Sequence, residues 1–120
     1  MKYFVTFTIT VMTLFLLSGN ALASGDDAKE AGKAVFDTKC KMCHGADGKG
    51  NPVMAKALSV TFPDLASQAV QSKPDDAFKK RITEGGVKMK PIKGLTDKQI
   101  TDVIAFVRSL GSSLVSRNSR

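Results

Sequence analysis

Two thiols and an imidazole fall within five residues of this chain, in Cys40-Lys41-Met42-Cys43-His44. Two cysteines separated by two residues can reach the two vinyl groups on one edge of a haem and form thioethers with them. The next residue then places an imidazole nitrogen under the iron as proximal ligand. The spacing C-x-x-C-H is that of covalent haem attachment. Three other chemistries use similar residues. A simple disulfide needs only the two thiols. A thioredoxin-like redox pair belongs to a βαβ context, and no alternating Val/Ile-rich runs supply one here. A zinc site needs about four ligands, and the whole chain holds two Cys and one His. Thioether attachment of one haem, through Cys40 and Cys43 with His44 on the iron, is therefore the expected chemistry.

The far side of the iron poses a separate question. His44 is the only histidine, so a bis-histidine haem within one chain is excluded. Methionine, lysine, water or an open position remain. Met1 and Met12 lie in the N-terminal apolar stretch, and Met42 sits inside the attachment motif. That leaves Met54 and Met89. Met54 is ten residues after His44 on a short helical pattern, where methionine commonly fills a core. Met89 is about 45 residues on, in the non-helical segment Val87-Lys88-Met89-Lys90-Pro91-Ile92-Lys93-Gly94 between two helices. Met89 is the better-placed distal ligand, because its segment can cross to the other haem face and is pinned at both ends.

The elements that must position these groups follow an export signal. Met1-Lys2 is a short positive region, Tyr3 to Leu17 is apolar, and Ala21-Leu22-Ala23 offers small residues for cleavage. The apolar run is about 15 residues, short of the roughly 20 that a spanning helix needs. Residues 1–23 read as a secretory signal peptide, which makes the mature chain periplasmic and not stably bound to a membrane. The formal net charge is +7, and cleavage removes one lysine from it. The excess is scattered lysine, either a plain solvated surface or a means of steering toward acidic partners. An exported chain without a recognisable binding motif is not expected to bind nucleic acid.

Residues 24–111 read as one small all-α domain. Asp26-Asp27 opens a helix running toward Lys39, the acids suiting its positive end. Ala28, Ala31, Val35 and Thr38 share one face, and Gly32 and Phe36 share another. A glycine inside a helix costs about 1 kcal/mol against alanine, so Gly32 predicts that another helix crosses closely. Gly45 to Pro52 is a glycine-rich loop. Short helices are expected over 53–58 and 67–71. Pro74-Asp75-Asp76 starts a further helix, which ends at Gly85-Gly86. The last helix opens with Thr96 and Gln99 as a capping box, and Leu95 and Ile100 as a staple. Ile100, Val103, Ile104 and Val107 give it an apolar stripe, with Leu110 extending it and Phe106 to one side. Gly111 is expected to stop it, leaving 112–120 as a flexible, polar, basic tail. A mature chain of this size buries little apolar surface alone, and a haem would fill the centre.

From about Ala28 to Leu110 the chain resembles class I c-type cytochromes of the small bacterial monohaem kind. The resemblance rests on Cys40-x-x-Cys43-His44 with Gly45 after it, Gly48-Lys49-Gly50, Pro63-Asp64-Leu65, and Met89 ahead of Lys93-Gly94-Leu95-Thr96. Gly32, Phe36 and Phe106 also match the family's crossing of first and last helices. The family often has proline directly after the ligand methionine; here Lys90 intervenes before Pro91. The resemblance implies a cytochrome c fold of three main helices plus short ones wrapped around one haem c. It also implies that a proline carbonyl in the post-motif loop, here Pro52, accepts from the His44 imidazole N–H and fixes its tautomer. With both axial positions filled, the expected function is electron carriage. Lys39, Lys41, Lys49, Lys88 and Lys90 flank the ligand segments and can form a rim for acidic docking surfaces on a reductase or terminal oxidase. The cytochrome c maturation machinery would be a further partner. If Met89 does not bind, an open iron makes the chain a haem peroxidase or a gas sensor instead.

Overall fold

The computed structural model describes residues 25–118. The signal segment expected over 1–23 lies outside the described residues. Six helices follow in order: α1 (Gly25–Lys39), α2 (Lys41–His44), α3 (Pro52–Leu58), α4 (Gln68–Gln71), α5 (Asp75–Glu84) and α6 (Asp97–Asn118). The described residues contain no strand, so the expected all-α class holds.

The longest helix, α6, is the rod on which the others rest. Its start is the expected capping box: the Gln99 backbone N–H donates to Thr96 Oγ1 at 3.1 Å, and the Thr96 N–H donates to Gln99 Oε1 at 2.9 Å. Five of the seven buried apolar side chains among the described residues lie on it, namely Ile100, Val103, Ile104, Phe106 and Val107. Its main partner is α1. The two helices touch backbone to backbone at Gly32, where a Cβ would overlap the Asp102 carbonyl oxygen and stand 2.9 Å from the Val103 nitrogen. One turn on, the Phe36 and Phe106 rings meet at 5.1 Å between centroids, tilted by 56°. That tilted arrangement suits two ring quadrupoles.

The face of α1 that turns inward is therefore Gly32 and Phe36, both buried. The alternative face of Ala28, Ala31, Val35 and Thr38 is not the core; Ala31 and Thr38 are exposed. Only glycine permits the closest approach of two helix backbones, so position 32 decides which face points in.

The C-terminal end of α6 departs from expectation. Gly111 does not stop the helix, and residues 112–118 continue it rather than forming an irregular tail. Gly111 serves packing: a Cβ there would lie 2.6 Å from both Cγ and Cδ of Gln71. The Gln71 amide needs that room, because its Nε2 donates to the Leu65 carbonyl at 2.7 Å and the Val107 carbonyl at 2.9 Å. Beyond it, Ser112 and Ser113 hydroxyls donate to the carbonyls of Ser109 and Leu110. These bonds turn both hydroxyls back onto the helix's own backbone three residues earlier.

Arg108 ties α5 and the turn before it to α6. Its guanidinium donates to the carbonyls of Gln71 and Lys73 and to Asp75 Oδ1, and lies 4.5 Å above the Phe78 ring. Phe78 and Ile82 of α5 complete the core around Phe36, Val103, Phe106 and Val107. Replacing Gly32 by alanine tests the crossing most sharply. Alanine is the better helix former by about 1 kcal/mol, so a surface site would gain stability. The backbone contact instead makes Gly32→Ala lose about 1–3 kcal/mol, read as a lowered urea midpoint with unchanged slope.

Candidate metal centre

The motif Cys40 to His44 is one tight helical turn grafted onto the end of α1. The Cys40 N–H donates to the Phe36 carbonyl at 2.8 Å, and the N–H groups of Cys43 and His44 both donate to the Cys40 carbonyl, at 3.1 and 2.9 Å. Helical pitch puts residues three and four apart on one side, so Cys40, Cys43 and His44 share a face. Both thiols are free and half-buried. Burial, aided by the nearby Cys43, pushes the Cys40 thiol up to about 11. Burial also lowers the His44 pKa, which favours the neutral imidazole that binds metal.

Asn51 holds this turn in place, a role that sequence reasoning missed. Its N–H donates to the Cys43 carbonyl at 2.9 Å, and its Nδ2 donates to the Met42 carbonyl at 2.9 Å. Its Oδ1 accepts from the Val53 and Met54 N–H groups at 3.0 and 3.4 Å, capping α3. One side chain thus closes the C-terminal end of α2 and the N-terminal end of α3. The available signal was Asn followed by Pro, the cap-then-N1 pattern. The intervening loop is anchored to α6 through Gly48, where a Cβ would meet Leu110 Cδ1 at 2.8 Å. The Leu65 N–H donates to the Gly48 carbonyl at 2.9 Å.

Phe62 packs against the His44 ring with centroids 5.8 Å apart. The hydrogen bond expected between the imidazole and the Pro52 carbonyl is not made: His44 Nδ1 is buried and has no hydrogen-bond partner. Pro52 is the first residue of α3, and a carbonyl at that position is turned into its own helix. Nδ1 is the nitrogen left for a second partner when the other one binds a metal, so the fit to haem rests on the donor set as a whole. A buried polar group normally has a partner. An imidazole in this state, beside two free thiols on the same helical face, has the donor set of a covalently attached haem.

The two methionines differ in setting rather than burial, since both are half-buried. Met54 lies on α3, hydrogen-bonded to the cap that clasps the motif itself. Met89 lies in the loop from Gly85 to Pro91, whose backbone folds back on α5. The Gly86 N–H donates to the Met89 carbonyl at 2.8 Å, and the Ile92 N–H donates to the Ile82 carbonyl at 2.9 Å. Gly85, with φ of +78°, makes the reversal possible; a Cβ there would stand 2.5 Å from the Met89 carbonyl oxygen. Met42 is 72% exposed and takes no part.

The cytochrome c family model matches residues 29–111. The chain belongs to the cytochrome c family. It is 31% identical over 100 residues to the cbb3-type cytochrome c oxidase subunit CcoP of Azospirillum brasilense; the match covers 81% of this chain and 33% of that protein. The chain thus spans about a third of the curated relative it matches. The solved structure of the KustC0563 c-type cytochrome superposes with a TM-score of 0.58 at 27% identity, covering 66% of this chain and 95% of that one. Family membership brings covalently bound haem c and haem-based electron transfer, and the free pair Cys40 and Cys43 fits the attachment.

Asn51→Ala removes the clasp and leaves the motif sequence intact. Loss of a capping side chain costs about 1 kcal/mol. The expected result is a lowered thermal midpoint with the haem mass still attached in denaturing mass spectrometry. A variant as stable as the parent would remove Asn51 from the support of the site.

Proposed function

We propose that the mature chain is a soluble periplasmic carrier of single electrons, bearing one haem c with His44 and Met89 as its axial ligands. The observation that carries this reading is the shared helical face of Cys40, Cys43 and His44, together with a methionine loop closed by its own backbone. The bound haem supplies a one-electron couple at its iron. The chain does the rest. Cys40 and Cys43 would each hold the macrocycle's edge by adding S–H across a haem vinyl, sulfur to one carbon and hydrogen to the other as the double bond becomes single. His44 meets the iron as a neutral imidazole, with Phe62 against its ring. Met89 offers soft sulfur, which favours the ferrous state and raises the potential. If His44 and Met89 both hold the iron, no position is left on it for a substrate. No helix among the described residues is long and apolar enough to cross a membrane.

The distribution of ion pairs supports acidic redox partners of a respiratory chain, in keeping with likeness to an oxidase subunit. Lys29, Lys33, Lys79, Lys80, Lys98 and Arg108 each pair with a carboxylate. Lys39, Lys41, Lys49, Lys88 and Lys90 are exposed and make no ion pair among the described residues, with Lys41 alone feeling a carboxylate, that of Asp37. Their field is free to steer encounters. Lys49→Glu and Lys90→Glu should slow electron transfer to an acidic acceptor severalfold at low salt, with the difference vanishing at high salt; Lys80→Glu should not. Equal effects from all three would mean that net charge alone matters.

The axial assignment decides between a carrier and an open-iron protein. Met89→Ala should abolish the weak far-red band of methionine on ferric iron, lower the reduction potential and admit cyanide. Met54→Ala should alter stability and keep the band. The reverse pattern would reassign the ligand. A parent protein that lacks the band and binds cyanide at once would be read as a peroxidase or gas sensor.

A further inference from the structure

An arginine on α5 reaches over the start of the methionine loop. Arg81 stands in the last turn of α5, directly after two lysines that are both ion-paired, Lys79 with Asp97 and Lys80 with Glu84. Arg81 makes no ion pair among the described residues. Its guanidinium lies across the backbone of Gly86, so that a Cβ at position 86 would overlap Nη1 and stand 2.8 Å from Cζ. Nη1 also reaches the Gly85 carbonyl oxygen at 3.5 Å, a long contact at the helix end. Gly86 is the residue whose N–H holds the Met89 carbonyl at 2.8 Å. From these contacts we infer that Arg81 is a positioning residue for the distal ligand, acting through the backbone of Gly86. The inference rests on Met89 being that ligand.

The physical basis is a loop equilibrium. A loop outside regular structure opens locally at low cost, and Met89 binds iron only while the loop is closed. A planar guanidinium lying on the Gly86 peptide and reaching a helix-terminal carbonyl favours the closed form. Gly86 has a φ outside the left-handed region, so conformation does not demand glycine there, and the place a Cβ would take is filled by the end of the Arg81 side chain. Removing the guanidinium and adding a methyl at position 86 are thus two ways to break one contact.

The test uses the haem-loaded full protein and its variants Arg81→Ala, Gly86→Ala, the double variant and Met89→Ala. Alanine suits a helix position, so Arg81→Ala keeps α5. Three quantities are read on the ferric protein: the far-red band, the dissociation constant of added imidazole, and the urea midpoint. An external ligand competes with the closed loop, so its affinity reports the open fraction. Each single variant should bind imidazole roughly threefold to tenfold more tightly. The double variant should match the singles rather than multiply them, because both changes remove the same interaction. A lowered urea midpoint with unchanged imidazole affinity in Arg81→Ala would make Arg81 a structural residue of α5 and overturn the proposal. Fold-changes that multiply in the double variant would overturn the route through Gly86. A band that survives Met89→Ala overturns the ligand assignment and the proposal together; a band lost there, with Arg81→Ala behaving as the parent, overturns the Arg81 proposal alone.

Discussion

The molecule is organised around one backbone contact, that of Gly32 on α1 with the Asp102 carbonyl on α6. No side chain separates the two helices there, so their crossing has little freedom in angle or register. The consequence reaches the chemistry directly. The motif turn continues from the end of α1 through the bond from the Cys40 N–H to the Phe36 carbonyl, and Phe36 is itself clamped by Phe106. Fixing the crossing therefore fixes where two thiols and an imidazole project. The same rod, α6, receives the Gly48 loop through Leu110 and the turns before α5 through Arg108. Segments on both sides of the site are thus referred to one helix.

This arrangement answers the problem of size. A domain of this length buries too little apolar surface to be stable with ease, and most of the buried apolar side chains sit on one helix. Loops that must face a large cofactor cannot be held by core packing alone. They are held by polar clasps instead. Asn51 closes the motif turn and opens α3, Gln71 bonds two carbonyls of different elements, and Arg108 gathers two carbonyls and a carboxylate. Each clasp satisfies backbone groups that the short helices leave without partners. Such hydrogen bonds contribute about 1 kcal/mol apiece, enough in sum to matter for a marginal domain.

What was legible in the sequence was local. The attachment motif, the acidic start of α1, the capping box at Thr96 and the stripe from Ile100 to Val107 all depend on residues within a turn or two of one another. Gly32 was legible as well, because a glycine inside a helix is costly unless something passes close by. The clasps were not legible, since Gln71 and Arg108 bond residues more than thirty positions away. Gly111 misled for the same reason: alone it reads as a stop signal, and only the Gln71 side chain reveals it as a cleared space. Pro52 misled differently. A family pattern placed its carbonyl on the imidazole, but a proline at the first position of a helix serves that helix. The axial role of Met89 remains a proposal supported by loop geometry.

Charge is sorted by the same architecture. Exposed ion pairs contribute at most about 1 kcal/mol each, so those on α1, α5 and α6 do little for stability. Their effect is on the field. Five of the six neutralise a lysine on a helix and the sixth neutralises Arg108. From Thr38 to Pro63 the chain has one acidic residue, Asp47, and none from Gly85 to Thr96. Asp47 is turned to its own loop, accepting from the Lys49 N–H at 3.1 Å. The lysines of these two segments keep their field within the roughly 8–10 Å that salt allows. These segments hold the motif and the methionine loop. In the proposed role, an acidic partner would therefore be drawn first to the parts of the chain through which an electron must pass. The lysines that do this can be altered without touching the backbone contact that positions the haem ligands.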